Sequence, residues 1–279
     1  MGAAPIGFAC SAHAVTPAPD GGYPNSNTAE GQDALLLLNT NAAYNNTAVG
    51  YQALRLDVSG PNNTAVSWRA LASNTVDFNT GIGVGALEFN NTGQYNTAIG
   101  LQALDQNSAG SNNTAFGVYA LYYSKSDYNT ATGVRALYSN QNGGVNVATG
   151  YQALEANVGG FYNVASGGFA LGTNSRGSYN VATGANALYY SNGSNNTANG
   201  HQALQNNTIG NNNIALGFQA GANLTTGSNN IFIGANVTGA PGDANKIRIG
   251  KQGTQNATYI AGIYSKSVSK HLRNPSLRR

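Results

Sequence analysis

A nine-residue string, Asn-Thr-Ala-Val-Gly-Tyr-Gln-Ala-Leu, begins at Asn46 and returns with substitutions along almost the whole chain. It reads NTAVSWRAL from Asn63, NTGIGVGAL from Asn79, NTAIGLQAL from Asn96, NTAFGVYAL from Asn113 and NTATGVRAL from Asn129. Further copies start at Asn146, Asn163, Asn180 and Asn196. Degenerate copies start at Asn213 and Asn230, and another opens the array at Asn27. Successive starts from Asn46 to Asn230 lie 16 or 17 residues apart. A unit that short cannot be a domain, and it is about half of a helical-pair repeat, which runs to roughly 33 residues or more. It suits one turn of a β-solenoid, in which each coil lays its strand on that of the coil before.

The chemistry within the unit agrees. Asn46, Ala48 and Gly50 fall on one side of an extended chain, and Thr47 and Val49 on the other. β-branched residues fit such a pleated surface. The Ala-Leu pair recurs ten times between Leu54 and Leu204, so coils in register stack Leu on Leu. The interior is therefore expected to hold a Leu column (Leu54, Leu71, Leu104, Leu121) and an Ala column (Ala48, Ala65, Ala98, Ala115, Ala131). At the strand start, Asn46, Asn63, Asn96 and Asn113 are placed to form a ladder of stacked amides. Burying one Leu contributes roughly 1.5–3 kcal/mol, so a file of them can hold the array together. The spacer after each Leu, such as Asp105 to Asn112, is rich in Asn, Gly and Ser and reads as turn. The one-residue variation in period falls there, where a turn absorbs it without shifting the strands.

The expected architecture is all-β: a single-chain parallel β-solenoid, or β-roll, of about 13 coils over residues 27–245. At ~4.8 Å per coil the rod is roughly 60 Å long. Residues 1–14 read as a remnant signal-like segment and 15–26 as a linker. Residues 246–264 read as a capping or neck-like β segment and 265–279 as a basic tail.

Composition excludes several alternatives. With 37 Gly and 41 Asn among 279 residues, long helices are disfavoured. An apolar content of 41% does not fit a disordered chain. One Cys leaves no internal disulfide framework. The longest apolar run, Ala34 to Leu38, falls far short of the ~18 residues of a membrane helix, so membrane attachment is not encoded here. The net charge of +3 is uneven: residues 1–264 hold eight Lys/Arg against ten Asp/Glu, and residues 265–279 hold five basic residues and no acid. The body thus lacks the spread of cations that binding nucleic acid requires.

The unit resembles the head repeats of trimeric autotransporter adhesins of the YadA-like type, whose Asn-x-x-Ala-x-Gly pattern builds a parallel β-roll. The longer form NTAVGYQAL, with its Asn/Gly spacer, is also similar to large bacterial surface proteins and phage tail-fibre-like proteins. The similarity covers about residues 15–264, from VTPAPDGGYP to KIRIGKQGTQNATYIAGIY. It implies an extracellular fibre at the bacterial cell surface, usually a homotrimer, that displays or spaces an adhesive surface for a host or glycan ligand. Such proteins often end in an intramolecular-chaperone domain. Here SKSVSKHLRNPSLRR follows Tyr264 instead, as a truncation or frame change at about Ser265 would produce. At the other end, Ser11-Ala12-His13-Ala14 has the small-x-small pattern of a secretory cleavage site, although no basic region precedes it. Gly7-Phe8-Ala9 before Cys10 matches a lipobox poorly.

Catalytic constellations are thin, and neither a catalytic residue nor a cofactor is expected. His13, His201 and His271 are far apart. His201 fills a sixth coil position held elsewhere by Tyr, Val or Phe, which argues for packing or surface rather than metal. Ser267-x-x-Lys270 has a Ser/Lys nucleophile spacing but no partner motif. Gly81-x-Gly83-x-Gly85 reads as one coil with extra Gly, not a phosphate loop. The acids, among them Asp57, Asp77, Asp105 and Asp127, read as scattered singly, giving neither paired carboxylates nor a calcium coil. The sequons at Asn45, Asn62, Asn112 and Asn195 are generated by the repeat itself.

Aromatics are more regular. Tyr95, Tyr128, Tyr162 and Tyr179 precede the first Asn of a coil, and Tyr51, Trp68, Tyr151 and Phe218 occupy the sixth position. Exposed, they offer flat faces to sugars or to a partner; otherwise they cover seams or a protomer interface. Three function classes follow. First is a non-catalytic structural or adhesive fibre. Second is a carbohydrate-binding, tail-spike-like solenoid. Third is an ice-binding solenoid, whose Thr column is interrupted here by Val and Ile.

Overall fold

The computed structural model describes residues 24–37, 43–56, 60–251 and 253–255; the signal-like segment, Asp57, His13, Cys10, His271, Ser267 and Lys270 lie outside them. After a short 3₁₀ turn at Pro24–Ser26, fourteen three-residue strands run from Thr28–Glu30 to Ile247–Ile249. They form one sheet in which every strand pairs with its sequence neighbours. All described pairs are parallel and in register, as in Thr47↔Thr64, Ala48↔Ala65 and Val49↔Val66. The chain is therefore a β-solenoid, and each repeat is one coil. The strand Ile247–Ile249 pairs with Ile231–Ile233, so the closing segment begins as one more rung of the same sheet.

The coils also stack outside the strands. The Gly50 N–H donates to Glu30 O at 2.7 Å, Gln52 N–H to Gln32 O at 2.9 Å and Leu54 N–H to Ala70 O at 3.0 Å. Alternate backbone N–H groups thus find partners in the coil above or below, and tight turns within a coil add bonds such as Asn74 N–H to Leu71 O at 3.0 Å, as buried backbone requires.

Each regular coil buries little: one strand Ala, the Ala-Leu pair and Asn. Ala48, Ala53, Leu54 and their equivalents through Ala203 and Leu204 are essentially fully buried. The ten Leu from Leu54 to Leu204 share φ values of 48–53°, a left-handed conformation that costs roughly 1–2 kcal/mol per L-residue. Burial of the isobutyl group offsets that cost. The corner glycine after each strand is needed for space as well as conformation. A Cβ on Gly100 (φ +135°) would lie 2.6 Å from the carbonyl oxygen of Gly117.

The strand Asn column is fully or almost fully buried, and its bonding differs from a plain amide stack. Each Oδ1 accepts the backbone N–H of the next Asn, as from Asn63 to Asn46 at 2.8 Å and Asn113 to Asn96 at 3.0 Å. Each Nδ2 reaches across the coil to a spacer carbonyl, as from Asn96 to Gly110 at 2.8 Å. Side-chain-to-side-chain contacts add to this only in places, such as Asn230 to Asn213 at 3.0 Å.

A second column of stacked amides lies inside the spacer that reads as turn, beside the five amide-to-amide bonds of the strand column. Asn74, Asn90, Asn107, Asn140, Asn157, Asn174 and Asn207 are all fully buried, each three residues after its coil's Leu. Nδ2 to Oδ1 bonds link Asn90 to Asn74 (2.7 Å), Asn107 to Asn90 (2.8 Å) and Asn157 to Asn140 (2.7 Å). Ser124 and Ser191 take the same place in coils that are one residue shorter between this column and the next strand.

Candidate functional site

With the interior filled, any site must lie on the outside, and the described residues present three surfaces. The first is the outer sheet face, formed by the residues flanking each strand Ala. Val49, Ile82, Phe116, Val147, Val164, Val181, Ile214 and Leu216 are exposed on it. A Thr file runs along it from Thr28 to Thr130 and turns to Val at Val147. The file beside that Thr is mostly Val, Ile or Phe rather than a second row of hydroxyls. The two files are mixed: Thr holds many places, and Glu30, Ser166 and Asn199 stand among the apolar residues.

The second surface is the corner after each sheet strand. Tyr51, Trp68, Tyr151 and Phe218 all stand there and are exposed. Tyr51 stacks on Trp68 at 6.4 Å and 16°, and Phe218 on His201 at 5.6 Å and 8°. Tyr151 meets Phe169 edge-on at 5.2 Å. The four do not form one strip, because Val84, Leu101, Val118 and Val134 separate the first pair from Tyr151. His201 is thus a stacking partner. Among the described residues no cluster of three or more His, Cys, Asp or Glu is placed to hold a metal ion.

The third surface corrects the expectation of scattered acids. Glu88 and Asp105 each directly follow the column Leu of adjacent coils, so the sheet register sets them side by side, and both are buried. Arg69 Nη2 bonds Glu88 Oε1 at 2.7 Å while its guanidinium lies 5.1 Å from the centre of the Trp68 ring. Asp105 Oδ2 accepts from Gln102 Nε2 at 3.1 Å and Gln106 Nε2 at 3.3 Å, and Asp105 also bonds the Tyr122 hydroxyl. Loss of water pushes both carboxyls above their ordinary range, with Arg69 pulling each back in part and Asp105 adding repulsion at Glu88. Burial, then the neighbouring Asp105, pushes the Tyr122 phenol up to about 12. Tyr119, Tyr122, Tyr123 and Tyr138 pack together beside the acids, Tyr122 stacking on Tyr138 at 5.4 Å. One coil further, Arg135 pairs with Glu155 at 2.7 Å.

The pairing is legible in the sequence, since both acids stand directly after the nine-residue string of adjacent coils. Both acids are covered, Asp105 by the Gln102, Gln106 and Tyr122 side chains that bond it and Glu88 by Arg69. Gly81, Gly83 and Gly85 fall in one coil, at the strand centre, at the corner and beyond it. No helix among the described residues is long and apolar enough to cross a membrane. No known protein family, curated protein or solved structure matches this chain.

Proposed function

We propose that this protein is a non-catalytic structural and adhesive fibre module, working outside the cell at a bacterial surface and assembling as a homotrimer. The observation that carries this reading is the outer sheet face: a file of β-branched side chains, Thr, Val or Ile in every strand, runs the length of a narrow rod beside a second file rich in Val, Ile and Phe. Such a face is costly to leave in water and fits another copy of itself, because identical files at one spacing interdigitate along their whole length. The corner aromatics and the Tyr seam then remain outward for contact with a target. Absence of catalysis is supported by the cover over Glu88 and Asp105, which leaves no room for a substrate at the paired acids.

Light scattering on the purified chain tests this. Three times the 28.6 kDa chain mass is expected. Phe116→Asp with Val164→Asp, on the exposed face, should give the single-chain mass with an unchanged β spectrum. A wild-type chain that stays single at all concentrations would overturn the assembly.

The exposed aromatics favour a second reading, a carbohydrate-binding solenoid of the tail-spike-like kind. It differs from the first in needing no assembly, sugar binding by the single rod being its whole function.

A further inference from the structure

The residue just before each strand Asn stands in a file down one edge of the rod. It is Asn, Tyr or Phe in every coil from Asn45 to Asn245 except one, where it is Val145. All are in the left-handed region, which Asn tolerates and a β-branched residue resists; Val145 sits there at φ 58°. A conformational outlier held against residue preference is a reason to look for function at that place.

The place is a notch. Its floor is Gly144 and Val145, and its walls are the coils on either side, Asp127 and Tyr128 before, Phe161 and Tyr162 after. Together with Lys125 and Asn142 they line a cavity of about 370 Å³, within the roughly 300–1,000 Å³ of small-molecule sites. Gly144 keeps the floor low: a Cβ there would already come within 3.6 Å of the Phe161 ring.

The aromatic geometry fixes what fits. Tyr162 and Tyr179 stack at 5.1 Å and 6°, close to the coil spacing, so rings of this file stack on those of the adjoining coils. Tyr179 covers one face of Tyr162, and the other face is turned toward the notch. Tyr128 stands two coils away, about 9.6 Å along the axis. One flat six-membered ring between them would lie about 4.8 Å from each, an ordinary stacking distance. The file is a ladder with one rung missing.

We infer that a hexopyranose ring supplies that rung. Its C–H faces stack on Tyr162 and Tyr128, and its edge rests on Val145. The rim carries what hydroxyls require. Asp127 is exposed and its Oδ1 accepts the Ser111 N–H at 2.8 Å; a carboxylate has further lone pairs with which to accept. The exposed Lys125 and Asn142 add donors. A purely aromatic guest would have no use for these three. This assignment rests on the adhesive part of the fibre reading, yet it fails separately, since it is read by ligand binding and the assembly by mass.

The test is saturation-transfer NMR on the full chain. The probes are the methyl glycosides of glucose, galactose, mannose and N-acetylglucosamine, with N-acetyltyrosinamide as the aromatic control. At least one glycoside is expected to receive saturation at its ring C–H protons. Val145→Tyr fills the rung and should weaken that binding about tenfold or more. The substitution suits the fold, because Tyr128 and Tyr162 hold the same conformation in the adjoining coils. Asp127→Asn should weaken binding about threefold or more. No transfer to any glycoside, undiminished binding by Val145→Tyr, or tighter binding of N-acetyltyrosinamide than of every glycoside would each overturn the assignment.

Discussion

Phe232 fills the space that Gly221 leaves. In the regular coils the strand centre is small and the column residue is Leu, but the two degenerate copies reverse the sizes. Phe232 stands where Ala is usual and is fully buried. A Cβ on Gly221 would lie 2.8 Å from Leu204 Cδ2 and 2.9 Å from Phe232 Cδ2. Leu224 replaces the second-column Asn and is also buried. What looks like decay of the repeat is a conserved-volume repacking of the core near the end of the array.

Gly221→Leu should therefore destabilise by roughly 1–3 kcal/mol through overpacking, and Phe232→Ala by about 3–5 kcal/mol through a cavity. Together they rebuild the regular coil, so the double variant should lose clearly less than the sum. A double-mutant cycle from urea denaturation measures this coupling. Additive losses would show that the two residues do not share one space.

The second Asn column gives a prediction of both signs. Asn157 donates to Asn140 Oδ1 (2.7 Å) and Gly160 O (3.1 Å) and accepts from Gly160 N (3.2 Å) and Asn174 Nδ2 (3.0 Å). Asn157→Ala leaves buried groups unpaired and should cost about 3 kcal/mol. Where the column changes to Ser191, Asn174 Oδ1 lacks a donor. Ser191→Asn supplies one and should stabilise by about 1 kcal/mol. The shorter coil accepts Asn, since Asn74 already occupies this place in another short coil. Thermal melts of both variants decide it.

That column also marks where the sequence stopped being readable. The period, the parallel stacking and the Ala and Leu files follow from periodicity because apolar side chains have only one place to go. Asn107 and Asn157 do not, because Asn in a Gly- and Ser-rich spacer is equally the signature of an exposed turn. Only the fold shows that the turn bends inward and uses the amide to satisfy Gly110 and Gly160 carbonyls. The burial of the Glu88–Asp105 pair stayed hidden for a related reason: a carboxylate near a turn ordinarily faces water, and nothing local announces the cover of Gln102 and Tyr122. The notch at Val145 is visible in sequence only as one odd residue in a file.

Glu88 and Asp105 should make the rod more stable in mild acid. Both carboxyls are raised, first by desolvation, so the folded chain binds their protons more tightly than the unfolded one. Their contribution to stability rises as pH falls from neutrality through the raised values, and levels off below the ordinary carboxylate range near about 4. Asp243 acts oppositely. The Ala240 N–H and Arg248 hold it low, so its contribution is present above the ordinary range and lost on further acidification. Urea midpoints at about pH 7 and about pH 5 should show greater stability at the lower value. Asp105→Asn should flatten that slope, and an unchanged slope would rule out the acid pair as its source.

The corner column supplies the last prediction. In the described coils its residue is Gly from Gly31 to Gly250, except for Ser67, which is held at φ 111°, outside the region L-residues normally occupy. Ser67 keeps its place because its amide still bonds Val49 O at 2.7 Å, one rung of the stacking that the whole coil enforces. Ser67→Gly should release strain worth roughly 1–3 kcal/mol, less the added chain entropy of Gly in the unfolded state, about 0.4–1 kcal/mol. The net effect is therefore modest stabilisation. Gly100→Ser imposes the same φ problem and sets a Cβ against Gly117 O, so it should cost at least as much as Ser67→Gly gains. Hydrogen exchange at the flanking coils reads both, because nearest-neighbour stacking confines the effect to adjacent rungs. Protection should rise around Ser67→Gly and fall around Gly100→Ser; equal protection in both would mean that the corner carries no strain.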